Sequence, residues 1–527
     1  MDFGAFKNTV GAVISRGLGI LVKLKNILGA EYSKPLCLIE DHQWGLARNQ
    51  RDEIKWLIAL LTLALAVRMI VAYLLPSVFH PDELFQYWEQ GHRLAFGDGV
   101  VPWEFRDGIR SWILPGFIGG VMMAVDYVGG SPLAWRLTTM FILSVCSLAV
   151  VATAFFWAKK LSGLAAGIFA GFLTSIWYEL VYFAPKPLTE AVAASLLFPA
   201  AYLLCASANA STRSRVIGGL LLGLIFVLRF HLAPAIMVIG IASMILSPWP
   251  RWLVQVGSAA AVVALSGLLD WYTWDYPFQS IWYNFYVNAV QGKSSNYGVH
   301  PFIWYILLFV NYWAGLVIPL IILMLFGVRR APLLLAVVII VILSHSFVGH
   351  KEYRFMIPIV PFVLTLAAIG TTELFALAFA KFNLVGRRRA FLLMCLCWML
   401  ASVGLAASNI YRHHWINART DINAFLFART VDGGCGVGAA GMSWWRLPGY
   451  TYLARQWPIY YLETPFDAHR LANAYNVLVY EDDDWGVLTR DFRKRACFGK
   501  ICVAVRQGSC VAQPNDTINK WLIKKTW

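Results

Sequence analysis

Three clusters of ionisable residues interrupt an otherwise apolar chain. The first reads His80-Pro81-Asp82-Glu83, with Trp103-Glu104 and Arg110-Ser111 following within thirty residues or so. A carboxylate at the mouth of a membrane helix is partly desolvated, which lifts its proton affinity toward that of a general base. Asp82 and Glu83 are adjacent, and adjacent side chains do not share a direction in regular structure, so only one of them faces a reacting atom. Both would equally serve as caps for a helix starting after Pro81, because acids favour the positive end of a helix dipole. The second cluster, His350-Lys351-Glu352-Tyr353-Arg354-Phe355, sets three potential cations within five residues, and a guanidinium fork matches phosphate oxygens. Cations that only snorkel at a helix end are the alternative. His345 is read as a buried, hydrogen-bonded residue. The third cluster is spread over two loops: Lys186 and Glu190 in one, and Asp270, Asp275, Trp282, Asn284, Asn288, Tyr297 and His300 in the other. Flat aromatic faces beside Asn and Asp suit sugar rings, although membrane interfaces also collect Trp and Tyr.

The elements that must position these residues are membrane helices. With 59% hydrophobic and only 14% charged residues over 527 positions, the composition lies far from that of soluble proteins. Mean hydropathy is +0.60. Apolar stretches near ~20 residues long fall at roughly 55–75, 133–157, 163–182, 188–206, 215–230, 232–247, 251–269, 302–326, 331–348, 356–380 and 390–409, eleven candidate spans. The net charge of +15 is carried by short basic clusters between spans. Lys159-Lys160, Arg213 with Arg215, Arg251, Arg329-Arg330, and Lys381 with Arg387-Arg388-Arg389 all fall on one side if the N-terminus is cytoplasmic. That dispersal argues against a nucleic-acid partner, which needs basic residues gathered on one soluble face. The register closes only if residues 112–128 do not cross, so this segment is expected to be re-entrant or to lie on the outer surface. All three chemical clusters then share the outer face.

Three regions follow. Residues 1–54 form a cytoplasmic segment in which Phe3 to Leu28 reads as a basic amphipathic helix on the membrane surface. Residues 55–409 form the transmembrane domain. Residues 410–527 form a small outer α+β domain with strand-like runs at 476–480 and 501–505. Its Cys435, Cys497, Cys502 and Cys510 lie where disulfides persist, and four cysteines allow three full pairings. A zinc site is the alternative, but the spacing matches no common ligand pattern. Cys37 falls inside, and the remaining cysteines lie within spans. The terminal Lys524-Lys525 resembles a retrieval signal but is placed on the wrong side to be read. Asn515-Asp516-Thr517 is an outer glycosylation sequon.

The motifs His80-Pro81-Asp82-Glu83, Trp103-Glu104 with Arg110-Ser111, Asn284-Phe285 through Asn288 to Tyr297-Gly298, and His350 to Phe355 together resemble those of the family 22 glycosyltransferases, over roughly residues 55–480. These are the lipid-phosphate-mannose-dependent mannosyltransferases of N-glycan precursor and GPI-anchor assembly. The resemblance implies an all-α polytopic GT-C fold with about eleven transmembrane helices and a small α+β extracytoplasmic domain. It also implies a dolichyl or polyprenyl phosphate sugar donor, inversion without a metal or other cofactor, and a lumenal or periplasmic active site. By the same resemblance Asp82 is the base with Glu83 as its competitor, and His350, Lys351 and Arg354 bind the donor phosphate. His80, Arg110, Lys186, Glu190, Tyr297 and His300 are expected as substrate contacts. Many family members carry a Thr-Arg-Thr-like segment before the acid of the second outer loop; here it is Pro185-Lys186-Pro187-Leu188-Thr189-Glu190, which puts the acceptor in question.

The expected reaction is transfer of mannose or a related hexose to a hydroxyl of a lipid-linked glycan or glycolipid, in the endoplasmic reticulum or a bacterial inner membrane. Another lipid-phosphate sugar is the nearest alternative. A lipid or solute transporter is the alternative from another class, but such proteins place their polar sites near the midplane and often repeat their halves, and this chain shows neither feature.

Overall fold

The computed structural model describes residues 46, 50–247, 249–382, 386–481 and 491–525, the side chains of 380–382 excepted. The expected surface helix at 3–28 and Cys37 lie outside these. Among the described residues, six helical stretches are long and apolar enough to cross a membrane: Gln50–Leu74, Pro132–Ile176, Trp252–Thr273, Trp304–Gly327, Tyr353–Phe379 and Arg387–Ala406. Pro132–Ile176 loses helical geometry at Ser162 and Gly163 and so supplies two of the expected segments. Thr189–Cys205, Thr212–Leu228, Phe230–Leu246 and Pro332–Ser346 complete the eleven. The protein is a multi-pass membrane protein.

The segment at 112–128 is a single helix, Ile113–Tyr127, with Pro115 in its first turn where no backbone donor is needed. At 1.5 Å per residue it is shorter than the ~30 Å hydrocarbon layer. It packs on the helix Glu89–Phe96, where a Cβ on Gly119 would lie 2.9 Å from Gly91 O. Three expected spans are less regular than a hydropathy pattern can show. The stretch 163–182 breaks at Trp177, whose backbone is extended, and restarts at Tyr178, whose amide donates to Ser402 Oγ at 2.9 Å. The stretch 302–326 breaks at Ala314, φ 47°. The stretch from 353 begins as a tight 3-10 helix, Tyr353–Ile359, before the α-helix Val360–Phe382.

Beyond the bundle lies a five-stranded sheet, β1 Val437–Ala440, β2 Ile459–Leu462, β3 Val477–Glu481, β4 Arg493–Phe498 and β5 Ile501–Val505, in the order β2-β1-β3-β5-β4. β1 is parallel to both neighbours, and β3–β5 and β5–β4 are antiparallel. Val437 to Ala440 are all buried, as suits a central strand covered on both faces. Two disulfides, Cys435–Cys510 and Cys497–Cys502, select one of the three pairings.

This sheet domain grips the first loop. Glu89, fully buried, accepts hydrogen bonds from the amides of Val100 (2.8 Å), Tyr450 (3.1 Å) and Thr451 (2.8 Å) and from Thr451 Oγ1 (2.7 Å). Gly449 lies at φ 71°, and a Cβ there would stand 2.6 Å from Glu89 Oε1, so no other residue fits. Asn519 takes the amide of Val101 at 2.8 Å and donates to Gly99 O at 2.9 Å. Val78 and Asn417 exchange bonds at 3.1 and 2.7 Å. The loop that carries the first motif is thereby fixed from both ends.

Candidate active site

The first and second motifs meet at one end of the bundle. Pro81 and Asp82 open the helical stretch that continues through Glu83–Trp88, and the Asp82 amide donates to His80 Nδ1 at 3.2 Å. Its Oδ2 accepts from Arg354 Nη2 at 2.7 Å. Arg354 also donates through Nε to Glu352 Oε2 at 2.7 Å and through Nη2 to Glu352 Oε1 at 3.0 Å. Its Nε lies 3.3 Å from Glu190 Oε1, and Arg229 Nη1 approaches that same oxygen at 3.3 Å. His80 bridges the motifs, with Nδ1 3.4 Å from Asp82 Oδ1 and Nε2 3.4 Å from Glu352 Oε2. His350 Nε2 is 2.9 Å from Glu352 Oε1, and its Nδ1 reaches Gly298 O at 3.2 Å.

Two effects compete for each acid. Burial raises the proton affinity of Asp82, but the charges of Arg354 and His80 outweigh it and hold the carboxyl well below the usual range. Glu352 is likewise held low: burial opposes, and Arg354 and His80 prevail. Burial alone would discharge His350, yet its bond to Glu352 keeps it more basic than a free imidazole. Glu104 goes the other way. Buried, and with Asp82 nearby, it is pushed up to about 7 despite Arg110, while Gln86 Nε2 donates to its Oε1 at 2.9 Å. One end of the bundle thus holds an ionised acid and, close by, an acid at half-charge near neutrality.

Glu83 sits apart from this cluster. It is buried, accepts the amide of Phe79 at 2.8 Å, and pairs with Lys186 Nζ at 3.2 Å. Lys186 also donates to Ser77 O at 2.7 Å. Lys351 lies apart as well: its amine donates to His300 O at 2.9 Å and to Val348 O, tying two loops together. His300 stacks on Trp304 with centroids 4.2 Å apart, and Tyr297 is exposed, its ring edge-on to His350 at 6.2 Å. Arg110 is anchored by its carbonyl, which accepts from Trp274 Nε1 at 3.1 Å, and Asn284 Nδ2 donates to Ile109 O at 3.0 Å, so the loop at 270–301 braces the first one. His345 is buried with Nδ1 2.9 Å from Val341 O.

Sequence reasoning passed over Glu352 and Arg229. Glu352 stands inside the motif between cations whose types and spacing point to phosphate chemistry. Arg229 ends an apolar helix at the end expected to lack cations, opposite Arg213 and Arg215, and that was the available signal.

A family model described as the Alg9-like mannosyltransferase family matches residues 59–453. The chain is 25% identical over 316 residues to the GPI mannosyltransferase 3 of Yarrowia lipolytica, covering 58% of this chain and 61% of that protein. It is 25% identical over 379 residues to the GPI alpha-1,2-mannosyltransferase 3 of Mus musculus, covering 66% of each. Over 130 residues it is 34% identical to the probable Dol-P-Man:Man(7)GlcNAc(2)-PP-Dol alpha-1,6-mannosyltransferase of Schizosaccharomyces pombe, covering 23% of each. The match thus spans between three fifths and two thirds of the length of the two GPI-enzyme relatives. Among solved structures, ArnT from Cupriavidus metallidurans bound to undecaprenyl phosphate superposes with a TM-score of 0.57 at 14% identity, covering 87% of this chain and 99% of that one. The likeness is one of fold, and the expected GT-C architecture is borne out.

Proposed function

The chain belongs to the Alg9-like mannosyltransferase family, and from that membership and the geometry of Asp82 we propose that it transfers mannose from a dolichyl phosphate donor to a hydroxyl of a lipid-linked glycan or glycolipid. The observation that carries the reading is the Asp82 carboxylate, kept ionised 2.7 Å from Arg354 where two motifs remote in sequence converge. In the proposed step the acceptor oxygen bonds to the anomeric carbon as its proton passes to Asp82. The bond from that carbon to the phosphate oxygen breaks, its electron pair stays on the phosphate, and the configuration inverts. Glu83, committed to Lys186, is a structural residue in this scheme.

His350, Lys351 and Arg354 remain a proposal for the donor phosphate. Their donors are engaged by Glu352, Asp82 and loop carbonyls, so binding there requires the phosphate to displace one of these partners. His80, Arg110, Glu190, Tyr297 and His300 stand around the same end and are proposed as substrate contacts, whereas Lys186 acts through Glu83. We place this end in the lumen of the endoplasmic reticulum, on the strength of the eukaryotic relatives and of two disulfides in the adjoining domain. The charged cluster sits at helix ends rather than at mid-span, which favours an enzyme over a transporter.

Membranes carrying the protein, supplied with labelled dolichyl phosphate mannose and a lipid-linked acceptor extract, should form an α-linked product. Asp82→Asn should abolish it while the protein stays folded; Glu83→Gln should instead lower the yield of folded protein. Undiminished turnover by Asp82→Asn would sink the assignment of the base, and transfer only from a different lipid-phosphate sugar would sink the assignment of the donor.

A further inference from the structure

Arg68 stands inside the first membrane helix, Gln50–Leu74, less than two turns from the end that leads into the Asp82 cluster. It is 1% exposed. A guanidinium keeps its proton in any protein setting, so this is a full positive charge inside the bundle. Its Nη2 donates to Thr174 O at 3.1 Å, near the end of the helix Pro132–Ile176, whose dipole supplies only about half an elementary negative charge. Nε and Nη1 are enclosed without a hydrogen-bond partner, and among the described residues no acid pairs with Arg68. Lys186 and Arg354, buried as deeply, are answered by Glu83 and by Asp82, Glu190 and Glu352. A buried cation that no acid answers is costly in a membrane interior and calls for an anion from outside the chain. Arg68 lines a cavity with Ser147, Leu180, Phe183, Ser195 and Ile357. The cavity encloses about 270 Å³ of empty space counting its mouth, most of it in crevices too narrow for anything much larger than a water molecule. A lipid head group does not fit there, and a halide ion does.

We propose that this cavity is a binding site for a single chloride ion, held by Arg68 Nε and Nη1. Ser147 and Ser195 donate to carbonyls of their own helices, Ser144 O at 2.6 Å and Ala191 O at 3.1 Å, and both hydroxyls can turn to donate to an ion instead. A water molecule in the same place would satisfy the two nitrogens but leave the charge unanswered, whereas chloride does both. The walls show what the ion fastens together. Phe183 lies just ahead of Lys186, whose amide donates to Phe183 O at 3.0 Å, and Ile357 belongs to the 3-10 helix that begins at Tyr353 and includes Arg354. The ion thus ties the first span to the backs of the two segments that present Lys186 and Arg354. The site is independent of the transferase reading.

The test uses the purified full chain in detergent. It measures binding of radiolabelled chloride, and thermal melting in potassium chloride against potassium gluconate, whose anion is too large for the cavity, at equal ionic strength. The wild type should bind one chloride per chain saturably, and at chloride about tenfold above the dissociation constant it should melt roughly 3 °C higher than in gluconate. Arg68→Met removes the charge and should abolish both effects. Arg68→Lys keeps the charge but replaces the fork with a single ammonium, so chloride should still bind, at least about threefold more weakly. A wild type that binds no chloride and melts alike in both salts overturns the proposal and leaves water as the occupant. Binding with an unchanged dissociation constant in Arg68→Met or in Arg68→Lys places the ion elsewhere and overturns it equally; should Arg68→Met fail to fold, Arg68→Lys decides. Neither readout depends on sugar transfer, so the chloride site and the transferase stand or fall separately.

Discussion

Asp82 keeps its charge because Arg354 is 2.7 Å away, whereas Glu104 is pushed up to about 7 by burial, with the charge of Asp82 adding to the effect. The two acids therefore respond to pH with opposite signs. A carboxyl held below its ordinary value, as Asp82 is, stabilises the fold at every pH above about 4, and that contribution disappears only as the pH falls further. A carboxyl raised to about 7 contributes stability that is complete below about 4 and lost as the pH climbs through 7. Between pH 5 and pH 7 the wild type should lose stability, by roughly 1–3 kcal/mol for this group, levelling off above pH 7, and Glu104→Gln should flatten that slope. For the rate, Asp82 as base predicts no fall in kcat/KM between pH 7 and pH 5 from its own titration. An acid limb centred near 7 that vanishes in Glu104→Gln would move the base to Glu104. Arg354→Ala would be a poor probe of donor binding, because it leaves Asp82, Glu352 and Glu190 facing one another without their shared cation, a loss of about 3–5 kcal/mol for a buried pair.

The elements hold these residues through buried acids that meet neutral donors. Glu179 accepts from the indoles of Trp177 (2.7 Å) and Trp313 (3.1 Å), from Tyr178 OH (3.3 Å) and from Tyr353 OH, so four donors from three segments meet on one carboxylate, one of them the residue before Arg354. Tyr353 stacks on Tyr312 at 3.7 Å, and Tyr312 OH meets His414 Nε2 at 3.2 Å. The His414 ring in turn lies 4.7 Å from Phe79, the residue before His80. The backs of both motifs are thus joined by aromatic contacts while their charged fronts form the site. The helices Val317–Gly327 and Val360–Phe382 touch backbone to backbone at Gly327 and Gly370, where a Cβ on Gly370 would overlap Leu323 O. Glu89 does the equivalent work for the sheet domain. Gly449→Ala, which forces a Cβ into the Glu89 carboxylate, should separate that domain from the first loop. The measurement is protease sensitivity around 440–455 together with transfer activity, and both should change; an intact protease pattern with normal activity would show that the contact can be dispensed with.

At the scale of the molecule, the sheet domain and the bundle form one working unit, since residues on both sides of the boundary fix the first loop. Cys435–Cys510 closes 75 residues of chain, worth about 4 kcal/mol by loop entropy, against about 2 kcal/mol for the five-residue loop of Cys497–Cys502. Cys435→Ser with Cys510→Ser should therefore lower thermal stability and transfer activity more than the other paired replacement does. Asn515, exposed ahead of the last helix, should carry a glycan in a eukaryotic host if this end faces the lumen. A mobility shift on glycosidase treatment, absent in Asn515→Gln, checks the sidedness.

The sequence by itself determined the membrane class, the positions of the eleven apolar segments and the two motifs, because hydrocarbon thickness fixes segment length and charge cost fixes where ionisable residues can stand. It also marked strand-like runs at 476–480 and 501–505, which form the strands Val477–Glu481 and Ile501–Val505, because apolar runs are local signals. Which of Asp82 and Glu83 joins the Arg354 cluster was not local. Arg354 and Lys186, 272 and 103 residues further along, pair with one acid each and so set the two carboxylates in different surroundings. The tertiary structure likewise decided the disulfide pairing, the breaks at Trp177 and Ala314, the turning of Lys351 toward loop carbonyls and the recruitment of Arg229. Each depends on which partner comes within a few ångströms, and a pattern of residue types along a chain records what a side chain can bond, not what the fold brings to it.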